Sequence, residues 1–231
     1  MTPRTTRQRV LRRVANLLLV AGGLILAFPF WSAAYARFEQ GKLTTTYDRS
    51  SAAFAAIAAA QGQRLAKLDT TDLKVQYLAS VFSTRVKPGD PIGRLTIPRI
   101  HLQKIVLQGY PGAAATLSPS GDAGLLRSGP VHYGTTPLPG MGEPFAVAGH
   151  RTTYGAPFYR LNELRRGDPI TLDTPYARFA YRVDKVTTTL PTDTGVLADR
   201  GYGLVLTTCT PPYSASHRLV VWATLASATP K

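Results

Sequence analysis

Val14 to Ala36, VANLLLVAGGLILAFPFWSAAYA, is a run of 23 residues without a charge, and no other feature constrains this 231-residue chain as strongly. Such a run is satisfied as a helix, and roughly 20 helical residues cross the ~30 Å hydrocarbon core of a bilayer. Arg4, Arg7, Arg9, Arg12 and Arg13 precede it, and no acid stands before Glu39. That asymmetry predicts a cytoplasmic N-terminus, and Trp31 and Tyr35 at the far end are the ring types that settle at an interface. The expectation is a basic cytoplasmic tail over residues 1–13, a transmembrane helix over 14–36, and everything beyond outside the cell membrane. A cleaved signal peptide is the competing reading, because SAAYA offers small residues to a peptidase, although the run is long for a signal core.

The formal charge of +14 raises the question of a nucleic-acid partner. Six of the 27 basic residues lie before residue 38, which leaves +8 over residues 38–231, and that remainder is dispersed. No aromatic-interleaved basic patch and no nucleic-acid motif occurs, so the charge points to a membrane- or wall-facing surface and not to nucleic acid.

Residues 37–88 change character. SSAAFAAIAAAQGQRLAKL is alanine-rich, with Phe54 and Ile57 on one helical face, yet an isolated helix of this length is marginal in water. The expectation is a partly helical extracellular linker, either a stalk or a segment packed on the domain that follows. KPGDP, Lys87 to Pro91, is a turn cluster that marks the start of that domain at residue 89.

From there to residue 231 short β-type runs dominate, among them IGRLTIPRI, QKIVLQGY, PFAVAGH, PITLDT, FAYRVDKVTTTLP, YGLVLTTC and HRLVVWATLA. The segment APFYRLNELRRGD carries Phe158, Leu161 and Leu164 at helical spacing and stops near Gly167, and Pro111 to Gly129 reads as a loop. Many short strands with one or two short helices predict a mostly β domain closed into a barrel, which also removes exposed strand edges.

Cys209 is the only cysteine, so no intrachain disulfide forms. Strand alternation puts Val205, Thr207 and Cys209 on one face and Leu204, Leu206 and Thr208 on the other. TPPYSAS then turns the chain, and an antiparallel return places Arg218 beside Cys209, where a cation would hold a thiolate or a developing oxyanion. The same pattern also reads as a buried core cysteine beside a strand-end charge. A working thiol needs a base or an imidazolium. His150, at the end of an apolar strand, is the best candidate of four. His132, in a turn-rich loop, is a second. His101 reads as a structural strand residue, and His217, alternating with Arg218, faces the other way.

AGHRTTYGAPF, LTTC and HRLVV, in that order and spacing, resemble the sortases, membrane-anchored cysteine transpeptidases of Gram-positive bacteria. GPVHYGTTPLPG followed by AGHRTTYGAPFYRLNELRRGD is most similar to the class E sortases of actinobacteria. The resemblance covers about residues 89–229. Two positions depart from the family pattern: Val205 stands where a threonine is common in the cysteine strand, and GEPF replaces a common Gly-Asn pair ahead of the histidine strand.

The resemblance implies a sortase-type β-barrel of about eight strands and an acyl transfer through a thioester. Cys209 attacks the Thr-Gly carbonyl of a C-terminal sorting signal of Leu-Ala-x-Thr-Gly or Leu-Pro-x-Thr-Gly type. His150 protonates the leaving amine and Arg218 steadies substrate backbone or oxyanion. The implied partners are secreted proteins carrying the signal and an amine on a peptidoglycan precursor or cross-bridge. Tyr133 is the candidate for lining the pocket that receives alanine, with His132, Thr208 and Tyr154 in the same cleft. No cofactor and no metal are expected, since no cluster of His, Cys and carboxylate residues has ligand spacing. A membrane-tethered domain that binds wall proteins without turnover is the alternative.

Overall fold

A computed structural model describes residues 6–112, 117, 123–142, 144–198 and 203–231. Residues 1–5 of the expected tail, much of the loop between Pro111 and Gly129, Glu143 of GEPF, and Gly201 and Tyr202 ahead of the cysteine strand lie outside those described.

Helix α1 runs without interruption from Thr6 to Ala60 and contains Pro29. Its first half exposes the apolar side chains of Leu17, Leu18, Leu19, Leu24, Ile25, Leu26 and Phe30. By length and composition this part of α1 is a candidate membrane span. Beyond it the buried residues of α1 change to Gln40, Tyr47, Phe54 and Ala58, which face the protein. A short helix α2, Gly62–Leu65, and an amphipathic helix α3, Thr71–Ser83, complete the segment. The Thr70 hydroxyl caps α3 by accepting from the Leu73 N–H at 3.2 Å.

Eight strands among the described residues close into a barrel: β1 Pro91–Ile97, β2 Leu102–Gln108, β3 Val131–His132, β4 Phe145–Ala148, β5 Pro169–Asp173, β6 Ala177–Thr189, β7 Leu204–Thr210 and β8 His217–Pro230. The order around the barrel is β1-β2-β3-β4-β7-β8-β6-β5, and β5 pairs with β1 to close it. β2/β3 and β4/β7 are parallel; β7/β8, β6/β8 and the remaining pairs are antiparallel. A four-residue helix, α4 Ala123–Leu126, lies between β2 and β3. This is the closed, mostly β architecture that the strand pattern predicts.

The residues between the apolar run and β1 are not a free stalk. Phe54 of α1 and Val75, Leu78, Ala79 and Phe82 of α3 join one hydrophobic cluster with Leu95, Phe179, Leu206 and Val221 of the barrel. The rings of Phe54 and Phe82 meet edge-on at 5.4 Å, and Phe82 meets Tyr176 at 5.3 Å. Full burial of such a side chain contributes roughly 1.5–3 kcal/mol, which supplies what an alanine-rich helix lacks in isolation. Gln40 adds a polar clamp: its amide nitrogen donates to the Ile105 carbonyl at 3.1 Å and the Ser128 carbonyl at 2.9 Å, while its oxygen accepts from the Ile105 N–H at 2.8 Å.

Two local expectations differ from the structure. Phe158, Leu161 and Leu164 are buried as their spacing requires, but the segment forms only a single 3-10 turn, Leu161–Glu163. Leu164, at φ -67° and ψ 144°, is already extended and ends the turn after Glu163. His132, read as a loop residue, lies in β3.

Candidate active site

Strands β4, β7 and β8 are neighbours, and their ends meet at one rim of the barrel. Antiparallel pairing sets Cys209 opposite Arg218, the register expected from the length of the turn. Parallel pairing sets Ala148 beside Thr207, and the ladder continues through a Gly149 N–H to Thr207 carbonyl bond of 3.1 Å. One residue further along each strand the Thr208 hydroxyl donates to the Gly149 carbonyl at 2.8 Å. His150 and Cys209 therefore leave adjacent strands side by side. Leu204 and Leu206 face one apolar cluster and Val205 the other, so alternation is kept up to the thiol.

Cys209 is half-buried. Arg218 is buried, and three backbone carbonyls hold it: Nε donates to Leu117 at 2.8 Å, and Nη1 donates to Ala215 at 3.0 Å and His217 at 3.2 Å. Among the described residues no carboxylate pairs with it, so its charge is directed without being neutralised.

Gly149 is needed just ahead of the histidine. A Cβ there would stand 2.6 Å from the Phe158 ring, which closes over the strand end while the Phe158 N–H donates to the His150 carbonyl at 3.1 Å. After His150 the chain turns through Tyr154 at φ 51°, Gly155 at φ +74° and Ala156 at φ 44°; left-handed conformations at non-glycine residues cost about 1–3 kcal/mol each. That turn sets the Tyr154 ring 5.2 Å from the His150 ring. Burial pushes the His150 pKa below its ordinary value, and the like charge of Arg127 lowers it further. Arg127 itself stands over the Tyr154 ring at 5.8 Å.

The other sequence candidates lie deeper. His132 is buried, stacked on Phe145 at 4.7 Å, with Nδ1 at 3.1 Å from the Gln108 side-chain oxygen and Nε2 at 2.9 Å from the Thr136 hydroxyl. Burial drives its pKa down to about 3, against the opposing hydrogen bonds at Thr136 and Pro137. Tyr133 is also buried, its hydroxyl 2.7 Å from that of Thr207. Both stand behind the rim, and Thr208 braces the strands that carry His150 and Cys209. His101 caps a 3-10 turn, Pro98–Ile100, and His217 is exposed beside Ser216.

Sequence reasoning missed Arg151. It is 5 % exposed; its Nη2 donates to the Asn162 side-chain oxygen at 2.8 Å, while Nε and Nη1 are buried with no hydrogen-bond partner among the described residues. Burial lowers its pKa, offset by Tyr159 and by Cys209. The signal was present in the HR pair, but only the fold buries it. Among the described residues no group of three His, Cys, Asp or Glu side chains stands together as a metal site.

A thiol, an imidazole and a fixed guanidinium stand at the ends of three adjacent strands of a closed barrel. Residues 95–226 match the Sortase domain family, more than half of the chain, and the chain belongs to the sortase family. It is similar to Sortase SrtE1 of Streptomyces coelicolor, 35 % identical over 97 residues, and to Sortase SrtE2 of the same organism, 35 % identical over 118 residues. Those matches cover 38 % and 44 % of this chain but only 28 % and 46 % of the two relatives. Sortase A of Bacillus anthracis is 27 % identical over 222 residues, covering 93 % of this chain and 94 % of that one. The structure of sortase E from Streptomyces avermitilis, 37 % identical, superposes with a TM-score of 0.51 over 62 % of this chain and 93 % of that one. Sortase E1 from Streptomyces coelicolor with a tripeptide in the active site superposes with a TM-score of 0.50 at 28 % identity, over 63 % and 93 % of the respective chains.

Proposed function

We propose that this chain is a class E-type sortase, a membrane-anchored cysteine transpeptidase that cuts the Thr-Gly bond of a Leu-Ala-x-Thr-Gly or Leu-Pro-x-Thr-Gly sorting signal and joins the threonine carboxyl to a cell-wall amine. The observation that carries it is the convergence of Cys209, His150 and Arg218 at the rim formed by β4, β7 and β8. The Cys209 thiolate adds to the threonine carbonyl. The resulting oxyanion is met by Arg218, whose Nη2 is not taken by any described carbonyl. His150, as imidazolium, gives its proton to the glycine amine as the C–N bond breaks, leaving a thioester. An acceptor amine then adds to the thioester, loses a proton to neutral His150 and expels the thiolate. Arg151 supports the thiolate from behind the histidine. Tyr133, Thr207 and Thr208, buried beneath the rim, hold the strands that carry it, and Tyr154 borders the cleft beside His150.

The apolar half of α1 anchors the enzyme, with the arginine-rich tail cytoplasmic and the barrel outside. The substrates are secreted proteins bearing the signal, and the acceptor is an amine of peptidoglycan or its precursor.

The test incubates the full chain in detergent or bilayer discs with a Leu-Ala-x-Thr-Gly peptide, its proline counterpart and an amine, followed by mass spectrometry. Cleavage after threonine with ligation of the amine is expected, and Cys209→Ala should lower it by ~10³-fold or more. Absence of cleavage with either peptide, together with a Cys209 unreactive toward a thiol probe, would instead leave a non-catalytic binding domain.

A further inference from the structure

The apolar run does not end clear of the barrel. Phe28 meets the Tyr154 ring edge-on at 6.1 Å, Ser32 is wholly buried, and the side chain of Ala36 lies 3.5 Å from where a Cβ on Gly155 would stand. Residues 28, 32 and 36 form one stripe of α1, at steps of four. A ~30 Å hydrocarbon core takes about 20 helical residues, so counted from Val14 it ends near residue 33. The loop from His150 to Tyr159 thus touches α1 within the last turns of the span, at the depth where headgroups begin.

The same face carries charge. A cavity of about 320 Å³ beside the loop is lined by His101, Lys104, Gly155, Pro157, Tyr159 and Arg160, and Gly155 links it to the α1 contact. Burial lowers the Lys104 pKa, and so does Arg37, the first residue after the apolar run. Neither the Lys104 nor the Arg37 side chain has a hydrogen bond or ion pair among the described residues, whereas Arg160 pairs with Glu163. Lys104 is half-buried and Arg37 exposed, and an anion taken in beside Lys104 would relieve the repulsion between these like charges. At the level of the lipid headgroups the abundant anion is a phosphate. Tyr159, half exposed at the cavity edge, is an amphipathic ring of the kind enriched at that depth.

We infer that this face, the His150–Tyr159 loop with Lys104 and Arg37, rests on the outer surface of the bilayer and takes the phosphate of an anionic phospholipid in the cavity beside Lys104. The catalytic rim then opens at the membrane surface, so a donor or acceptor still held in the bilayer reaches Cys209 laterally. The inference rests on the anchor in the proposed function but not on turnover.

The test uses the full chain with Cys209→Ala, so that one introduced cysteine carries a fluorophore, reconstituted in phosphatidylcholine vesicles with or without phosphatidylglycerol. A label at Tyr159→Cys should be quenched by a nitroxide at headgroup depth, and more so with phosphatidylglycerol. A label at Gln63→Cys, three residues past Ala60, which itself lies about 36 Å along the α1 axis from Ala36, should not. Arg37→Gln combined with Lys104→Gln should remove the phosphatidylglycerol increment and keep the quenching in phosphatidylcholine. Equal quenching at positions 159 and 63 in a chain that resists alkaline carbonate overturns this inference alone. Extraction by carbonate overturns the anchor and the inference together. An increment erased by inorganic phosphate, but not by chloride at matched ionic strength, reassigns the cavity to a free phosphate and overturns the lipid assignment.

Discussion

At the residue scale, His150 is governed by two forces of the same sign. Burial disfavours its charged form, and Arg127 repels it. A step that needs the imidazolium weakens as pH rises through the His150 pKa. Replacing Arg127 with glutamine removes the like charge, raises that pKa and moves the alkaline limb of kcat/KM to higher pH, which a pH-rate profile of the variant reads directly. An unmoved limb would mean that Arg127 is screened at this site. Arg218 differs in kind: three carbonyls orient it, so Arg218→Lys keeps the charge yet loses the fixed fork on which the proposed oxyanion contact depends, and kcat should fall at unchanged fold stability.

At the element scale, the clamp between α1 and the barrel is concentrated in Gln40. Its amide pairs with both backbone groups of Ile105, as a neighbouring strand would, and a third bond reaches Ser128. Gln40→Ala strands the Ile105 N–H and carbonyl in a buried site, at a cost of about 2–4 kcal/mol. Urea unfolding of the full chain checks the value. The Thr208 to Gly149 bond does similar service between β4 and β7, which links a hydroxyl in the cysteine strand to the placing of the histidine.

At the scale of the whole molecule, the helices are part of the barrel's core. A fragment of residues 89–231 exposes the surfaces that Phe54, Leu78 and Phe82 cover, so it is expected to unfold at a clearly lower temperature than residues 38–231. Calorimetry of the two fragments decides it. Acid acts through His132. Its pKa is about 3 in the folded barrel and about 6.5 in the unfolded chain, so the unfolded state binds the extra proton between those values. Stability is therefore full above pH ~6.5 and falls as pH drops toward 3, by up to about 1.4 kcal/mol per pH unit. His132→Asn should flatten that slope by close to one proton in denaturation curves taken from pH 7 to 4.

The anchor-like run, the succession of strands and the pairing of Cys209 with Arg218 are legible in the chain, because each depends on local periodicity or on the length of one turn. The remainder follows from long-range packing. Alternation could not say that β4 lies parallel to β7, which is what brings His150 to the thiol. Residue type could not say that His132 and Tyr133 are sealed in the barrel wall, since burial depends on neighbours more than a dozen residues away. The spacing of Phe158, Leu161 and Leu164 spoke for helix, yet the extended backbone at Leu164 confined it to one turn. The alanine-rich segment reads as marginal alone and becomes ordered because the barrel presents an apolar surface for Phe54 and Phe82 to cover. That burial is a property of two distant segments together, and no window of sequence contains both.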